Sequence, residues 1–388
     1  MHFISLIMPL FLLASRQTDY SDMSLKIDQA MLKFMAEKKI SGAVTLAVHR
    51  DEVIHFSPVG LADIEKTQQM TKESLFRIAS LTKNFTAVSV MTLQDEGKVN
   101  INDKVEKYLP EFKHIKLKKD DGKGPVDLRI WHLMSHMSGI DMPKEFGLDN
   151  MPSLEVASKE AAKLNLNFRP GSQWQYSRGL DVCGRIIEVV SGMKFEDFLK
   201  VKITGPLALN DTAFTLNAEQ VERLVTTYEP GTGNTIIPAS KEFLTNPPAA
   251  DTRPMPSGGL ISSTEDIATF YAMLLNKGVY NGRRIVSEES IRLLTTSRTG
   301  NKKVGFVPGS AWGLGFGLVS NPQGVTSMLN PGTFGHGGAF GTQAWVDPVT
   351  ETIYVLMIQR TKFGNSDASD IRAKFQKTVA KYIKRDWR

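Results

Sequence analysis

The stretch FRIASLTKNFTAVSVMTLQDEG, residues 76–97, decides how the rest of the chain is read. A strand-like entry leads to Ser80 and, three positions on, to Lys83 at the head of an apolar helix. Leu81, Phe85, Val88 and Met91 recur there at helical spacing, and Gly97 supplies a C-terminal stop. Residues i and i+3 share a helix face, so the Ser80 hydroxyl and the Lys83 amine fall within hydrogen-bonding reach. A lysine free in water titrates near about 10.4, and packing this turn into a core lowers that value toward neutrality, which makes Lys83 a base for its neighbour. The same S-x-x-K spacing recurs at Ser191 and Lys194, but Gly192 lies inside it and a periodic run, 182–190, precedes it. The second copy therefore reads as a helix end and a loop.

Composition sets the outer limits. The 388 residues are 41% hydrophobic and 23% charged, which excludes a fibre or a disordered chain and allows one large domain or two smaller ones. The net charge of +6 is spread out; the densest basic run, 113–123, contains two aspartates, and no aromatic-basic stripe for nucleic acid is present. A single cysteine, Cys183, forbids an internal disulfide and any paired-cysteine metal site. Near the start, the apolar run 3–14 is too short for a bilayer span of about 20 residues but suits the core of a secretion signal. Its flank carries His2 instead of Lys or Arg, and Leu13-Ala14-Ser15 offers small residues for cleavage. Residues 1–17 are thus expected to be a signal peptide that sends the chain to the periplasm or outside the cell, with no stable membrane insertion afterwards. The alternative is a mispredicted start or a disordered N-terminal extension, with the protein cytoplasmic.

Working outward, residues 24–39 have the spacing of an amphipathic helix, and 43–49 and 52–57 form a hairpin turning at Arg50-Asp51. After Gly97 the pattern is one of helices and loops, including 128–137, with few strand signals before residue 251. Residues 264–277 form a helix with a Thr264 cap and a Gly278 stop. Strands return at 312–319, 342–347 and 352–358, and a helix at 367–383 closes the chain. The prediction is an α+β fold with one sheet assembled from both chain ends. The α/β part spans about 24–96 and 255–388, a helical insert spans about 97–254, and a cleft lies between them.

Two further constellations belong to that cleft. Tyr176, in GSQWQYSR at 171–178, sits on a turn at a helix start, where a phenol beside Lys83 relays a proton once the ammonium lowers its pKa. Read alone it is better explained as a tyrosine whose ring packs and whose hydroxyl meets solvent. Gly335-His336-Gly337-Gly338-Ala339 precedes a paired strand, and its backbone N–H groups make half of an oxyanion hole whose other half is the Ser80 N–H. The competing reading is a plain glycine-rich turn. His132 and His136 stand four apart, as metal ligands can, but no carboxylate or third histidine sits at ligand spacing, so neither metal nor cofactor is expected. No G-x-S-x-G, H-E-x-x-H, Walker or dinucleotide-binding motif is present.

Taken in order, Ser80-x-x-Lys83, Tyr176-Ser177 and His336-Gly337-Gly338 resemble the serine β-lactamase-related family of class C β-lactamases, D-alanyl-D-alanine carboxypeptidases and family VIII carboxylesterases. LFRIASLTK, LMSHMSGI, YSRGLDVCGRIIEVVSG, SGGLISSTEDIATF and GHGGAFGTQAWVDP all look like it. The resemblance implies a β-lactamase/transpeptidase-like α/β sandwich. It also implies acylation of Ser80, acid/base work shared by Lys83 and Tyr176, and an oxyanion held by the N–H groups of Ser80 and Ala339. Two departures bear on substrate. Tyr176-Ser177-Arg178 replaces Tyr-x-Asn, leaving Arg178 as a possible substrate contact, and His336-Gly337-Gly338 replaces Lys-Thr-Gly, exchanging a permanent cation for a histidine mostly neutral at pH 7. The Y-S-x-x-x-D pattern through Asp181 is similar to the esterase branch. A serine hydrolase acting on small esters follows, with a β-lactamase or peptidase on cell-wall-like amides as the alternative and a catalytically silent binding protein as a third reading. The oligomeric state is left open.

Overall fold

A computed structural model describes residues 19–140, 151–241, 244, 246–249 and 252–383; the signal peptide expected at 1–17 lies outside them. Helix α1 (Ser21–Ala36) comes before strands β1 (Gly42–His49) and β2 (Glu52–Asp63). Arg50 and Asp51 join these strands with φ of 48° and 64°, left-handed at both central positions as a type I′ hairpin requires. The chain continues through β3 (Gln68–Gln69), β4 (Leu75–Arg77), α2 (Thr82–Asp95), α3 (Ile130–Met134) and α4 (Gly179–Ser191). Then come β5 (Ile261–Ser263), α5 (Thr264–Leu275), β6 (Ser310–Trp312) and β7 (Gly317–Val319). Strands β8 (Phe334–Gly337), β9 (Gln343–Asp347) and β10 (Thr352–Met357) and helix α6 (Asp370–Ile383) complete it.

Eight strands form one antiparallel sheet in the order β6-β7-β8-β9-β10-β1-β2-β3, so the C-terminal strands meet the N-terminal hairpin where β10 pairs with β1. The sheet is covered on both faces. Along β10, Ile353, Val355 and Met357 join the core shared with α2 and α5, while Tyr354 and Leu356 join the core under α1 and α6. Period-two alternation between two apolar environments is what a sandwich with helices on both faces demands. Between α2 and β5 the described residues hold short helices, α4 and one two-stranded ribbon.

Some elements depart from the sequence expectation. The stretch expected as one strand at 312–319 is a hairpin. A Cβ on Gly313 would lie 2.1 Å from the Leu294 carbonyl oxygen, and one on Gly315 (φ 78°) 2.5 Å from Ala87 Cβ, so these glycines let the chain turn tightly against Leu294 and α2. The cap of α5 is Ser263, whose hydroxyl accepts from the Asp266 N–H at 3.1 Å, instead of Thr264. The expected helix 128–137 is shortened to α3 because His136 adopts φ 60°. His336 and Gly337 lie inside β8 instead of in a turn before it.

Helix α2 is buried nearly all round, and Phe85 stacks on Phe270 with ring centroids 3.9 Å apart. Phe85→Ala is expected to cost about 3–5 kcal/mol of stability, the range for truncating a fully buried Phe. Chemical unfolding of the purified variant checks it, and a loss below about 1 kcal/mol would show that the core collapses into the gap.

Candidate active site

The turn carrying Ser80 is built by its flanks. Strand β4 pairs with β5 in the register Leu75↔Ser263, Arg77↔Ile261, and the Ile78 N–H continues the ladder to the Leu260 carbonyl. Ala79 then adopts φ 46°, an uncommon conformation for a residue with a Cβ, and is held there: the Thr82 hydroxyl donates to the Ala79 carbonyl at 2.7 Å and accepts from the Leu260 N–H. Ser80 follows on a 3₁₀ turn, half-buried, at the entry to α2.

Lys83, one turn further, donates to Ser80 Oγ at 3.1 Å and to the Ser257 carbonyl at 2.5 Å. The β4–β5 pairing is what delivers that carbonyl. The Tyr176 hydroxyl donates to Ser80 Oγ at 2.8 Å, and the Lys83 ammonium lies 4.9 Å from the Tyr176 ring centroid. His336 Nδ1 sits 2.6 Å from the Gly337 carbonyl, which can only accept, so Nδ1 carries the proton and Nε2 presents a lone pair 3.5 Å from the Tyr176 hydroxyl. Ser80, Lys83, Tyr176 and His336, separated by up to 256 positions in sequence, are thus brought together.

Burial sets the electrostatics. It brings the Lys83 amine down to about 7, with Asp181 opposing and Arg178 adding to the effect. Burial and the Lys83 charge hold His336 down at about 3, so its ring is neutral across the physiological range. Burial raises the Tyr176 phenol above its ordinary value, and its hydrogen bond to Ser80 only partly offsets this. The sequence-based expectation of a phenol acidified by Lys83 is therefore reversed: desolvation dominates, Asp367 and Asp181 add to it, the Ser80 hydrogen bond opposes it, and Tyr176 stays an O–H donor.

Glycines let the strand approach the serine. A Cβ on Gly338 would stand 2.5 Å from the Ile78 carbonyl oxygen, and one on Gly337 would collide with the Asp367 carboxylate. The Thr342 hydroxyl adds a 3.2 Å bond to the same Ile78 carbonyl. Among the described residues, the backbone N–H groups of Ser80 and Ala339 donate to no protein acceptor. Arg178 directs its Nε to Asp181 Oδ2 at 2.7 Å.

His136 has a place that its sequence spacing did not disclose. Its carbonyl accepts from the Gln175 N–H and its Nδ1 from the Ser177 N–H at 3.1 Å, so it brackets the peptide on either side of Tyr176. His132 turns its Nδ1 to the Arg129 N–H, so the histidine pair works on the backbone. Trp174, Phe306 and Trp312 pack round the Tyr176 ring, Phe306 edge-on at 4.8 Å. A cleft of about 660 Å³ lined by Leu199, Asn210, Phe214 and Gln220 contains none of these residues.

A serine met by a buried amine and a buried phenol, beside the edge of a helix-covered antiparallel sheet, defines a serine hydrolase. The model of the Beta-lactamase family matches residues 27–378, and the chain belongs to that family. It is 29% identical to Protein Rv1367c of Mycobacterium tuberculosis, over 94% of this chain and 99% of that one. With Esterase EstB of Burkholderia gladioli it shares 26% identity over 89% of this chain and 92% of the relative. The fold is similar to that of EstCE1, a hydrolase with promiscuous acyltransferase activity, with a TM-score of 0.79 and 22% identity over 94% of this chain and 99% of the other.

Proposed function

We propose that the protein is a carboxylesterase that passes through an acyl-enzyme on Ser80. Neutral Lys83 takes the Ser80 proton as Oγ attacks the ester carbonyl carbon. The oxyanion is received by the N–H groups of Ser80 and Ala339. As the carbon–oxygen ester bond breaks, the Tyr176 hydroxyl gives its proton to the departing alkoxide and regains one from the Lys83 ammonium. Water then attacks the acylated serine, its proton passing back along the same groups, and releases the acid. Tyr176 acts as the proton donor and Lys83 as the base because burial raises one pKa and lowers the other.

One observation carries the choice of ester. His336 stands where a lactamase keeps a lysine, and it is buried and neutral. A β-lactam or a peptide C-terminus brings a carboxylate that needs a fixed cation there; an ester with an uncharged acyl group does not. The EstB relationship supports the same reading.

The test is mass spectrometry of the protein and of Ser80→Ala with a fluorophosphonate probe, alongside turnover of p-nitrophenyl butyrate and nitrocefin. The expected result is a probe adduct on Ser80, none on the variant, and ester release far faster than nitrocefin opening. Rapid nitrocefin turnover with poor ester release would make it a β-lactamase. No adduct would sink the acyl-enzyme reading and leave a binding protein.

A further inference from the structure

Asp181 lies on the first turn of α4, and its two oxygens do different things. Oδ2 accepts from Arg178 Nε at 2.7 Å; Oδ1 accepts from the Ser257 backbone N–H at 2.8 Å. The carbonyl of Ser257 is the one that receives Lys83 Nζ. One residue therefore joins the carboxylate to the amine: Asp181 takes its N–H, and Lys83 donates to its C=O. Asp181 is buried, with 7% exposure, while the Arg178 side chain is 23% exposed. Removing the carboxylate would release the Ser257 backbone and strip the anion whose charge favours the Lys83 ammonium.

Resting on the reading of Lys83 as the general base, we infer that Asp181 positions Lys83 through Ser257 and that the Arg178–Asp181 ion pair sets the charge state of that base. The other polar groups facing Lys83 do not take this part. Tyr176 is held protonated by burial, and His136 and His336 are both buried and neutral. Asp367 acts on the Tyr176 side of the site. Of the two full charges bearing on Lys83, Asp181 favours the ammonium and Arg178 opposes it. Asp181 and Arg178 are positioning residues in this account, since neither touches the reacting atoms.

The two signs make the inference testable. Asp181→Asn keeps an oxygen for the Ser257 N–H but removes the charge, so the Lys83 titration moves to lower pH. Arg178→Gln leaves Asp181 uncompensated, so it moves to higher pH. Each shift is expected to be roughly 1–1.5 pH units, the scale of one charge removed at about 8–12 Å and an effective dielectric of about 20. Two readouts are taken on the full chain: the acidic limb of kcat/KM for p-nitrophenyl butyrate, and the pH dependence of Lys83 acetylation by trace acetic anhydride, read by mass spectrometry. The double variant should fall between the single ones. The labelling needs no turnover, so a wild type inactive on esters would overturn the proposed function while the charge-state inference is still decided. Arg178 is exposed enough for its variant to fold even if Asp181→Asn does not. A Lys83 titration that stays put in Arg178→Gln, or shifts of the same sign in both variants, would overturn the inference; a lowered plateau rate with an unmoved limb would reduce Asp181 to a structural role.

Discussion

Replacing Lys83 by methionine or by arginine is expected to lower kcat/KM for p-nitrophenyl butyrate by about 10³- to 10⁴-fold, the scale of losing the base in a nucleophile–base pair. Both substitutions keep a long side chain on the buried face of α2. Neither can accept the Ser80 proton, because a thioether is a poor base and a guanidinium stays charged. In the wild type the amine accepts only when neutral. Activity should therefore be full above about 7 and fall tenfold per pH unit below it, following the lowered Lys83 value. Steady-state kinetics from pH 5 to 9 (a range set by ordinary buffers, roughly two units either side of the titration) checks both expectations. Retention of activity within tenfold in Lys83→Arg would remove Lys83 from the chemistry.

Tyr176→Phe is the second large effect. The ring keeps its place against Phe306 and Trp312, and only the hydroxyl bonded to Ser80 Oγ at 2.8 Å is lost. If that hydroxyl protonates the leaving group, the loss depends on the alcohol. An alkyl ester, whose alkoxide must be protonated to leave, should lose about 10²- to 10⁴-fold in kcat. A p-nitrophenyl ester, whose phenolate leaves unaided, should lose markedly less. Paired assays on ethyl and p-nitrophenyl butyrate decide it, with the thermal midpoint as control. Equal losses on both esters would place Tyr176 elsewhere in the reaction.

Relations that depend on a few neighbouring residues were legible before the fold was known. The 80/83 spacing puts two side chains on one helix face by backbone geometry alone, and Arg50-Asp51 between alternating runs forms the hairpin found here. Gly192 ends its helix at φ 70°, as its position after the periodic run implied. Local reading failed where a side chain serves a distant part of the chain. His136 is such a case: its Nδ1 accepts from the Ser177 N–H, 41 positions on, and only the path of residues 171–178 reveals that role. The 312–319 run has strand composition, but its glycines answer to Leu294 and Ala87.

By itself, then, the sequence pointed to the candidate nucleophile and its candidate base, and determined the sheet built from both chain ends and the family resemblance, because these rest on periodicity, turn chemistry and motif order. The tertiary structure alone decided the protonation roles. Lys83 meets the Ser257 carbonyl across 174 positions and Tyr176 meets Ser80 across 96. Whether burial or a neighbouring charge dominates a pKa depends on how completely such contacts exclude water. At both groups exclusion prevails: it keeps the Tyr176 phenol a donor, and it brings the Lys83 amine down close to neutrality with Asp181 only partly opposing it.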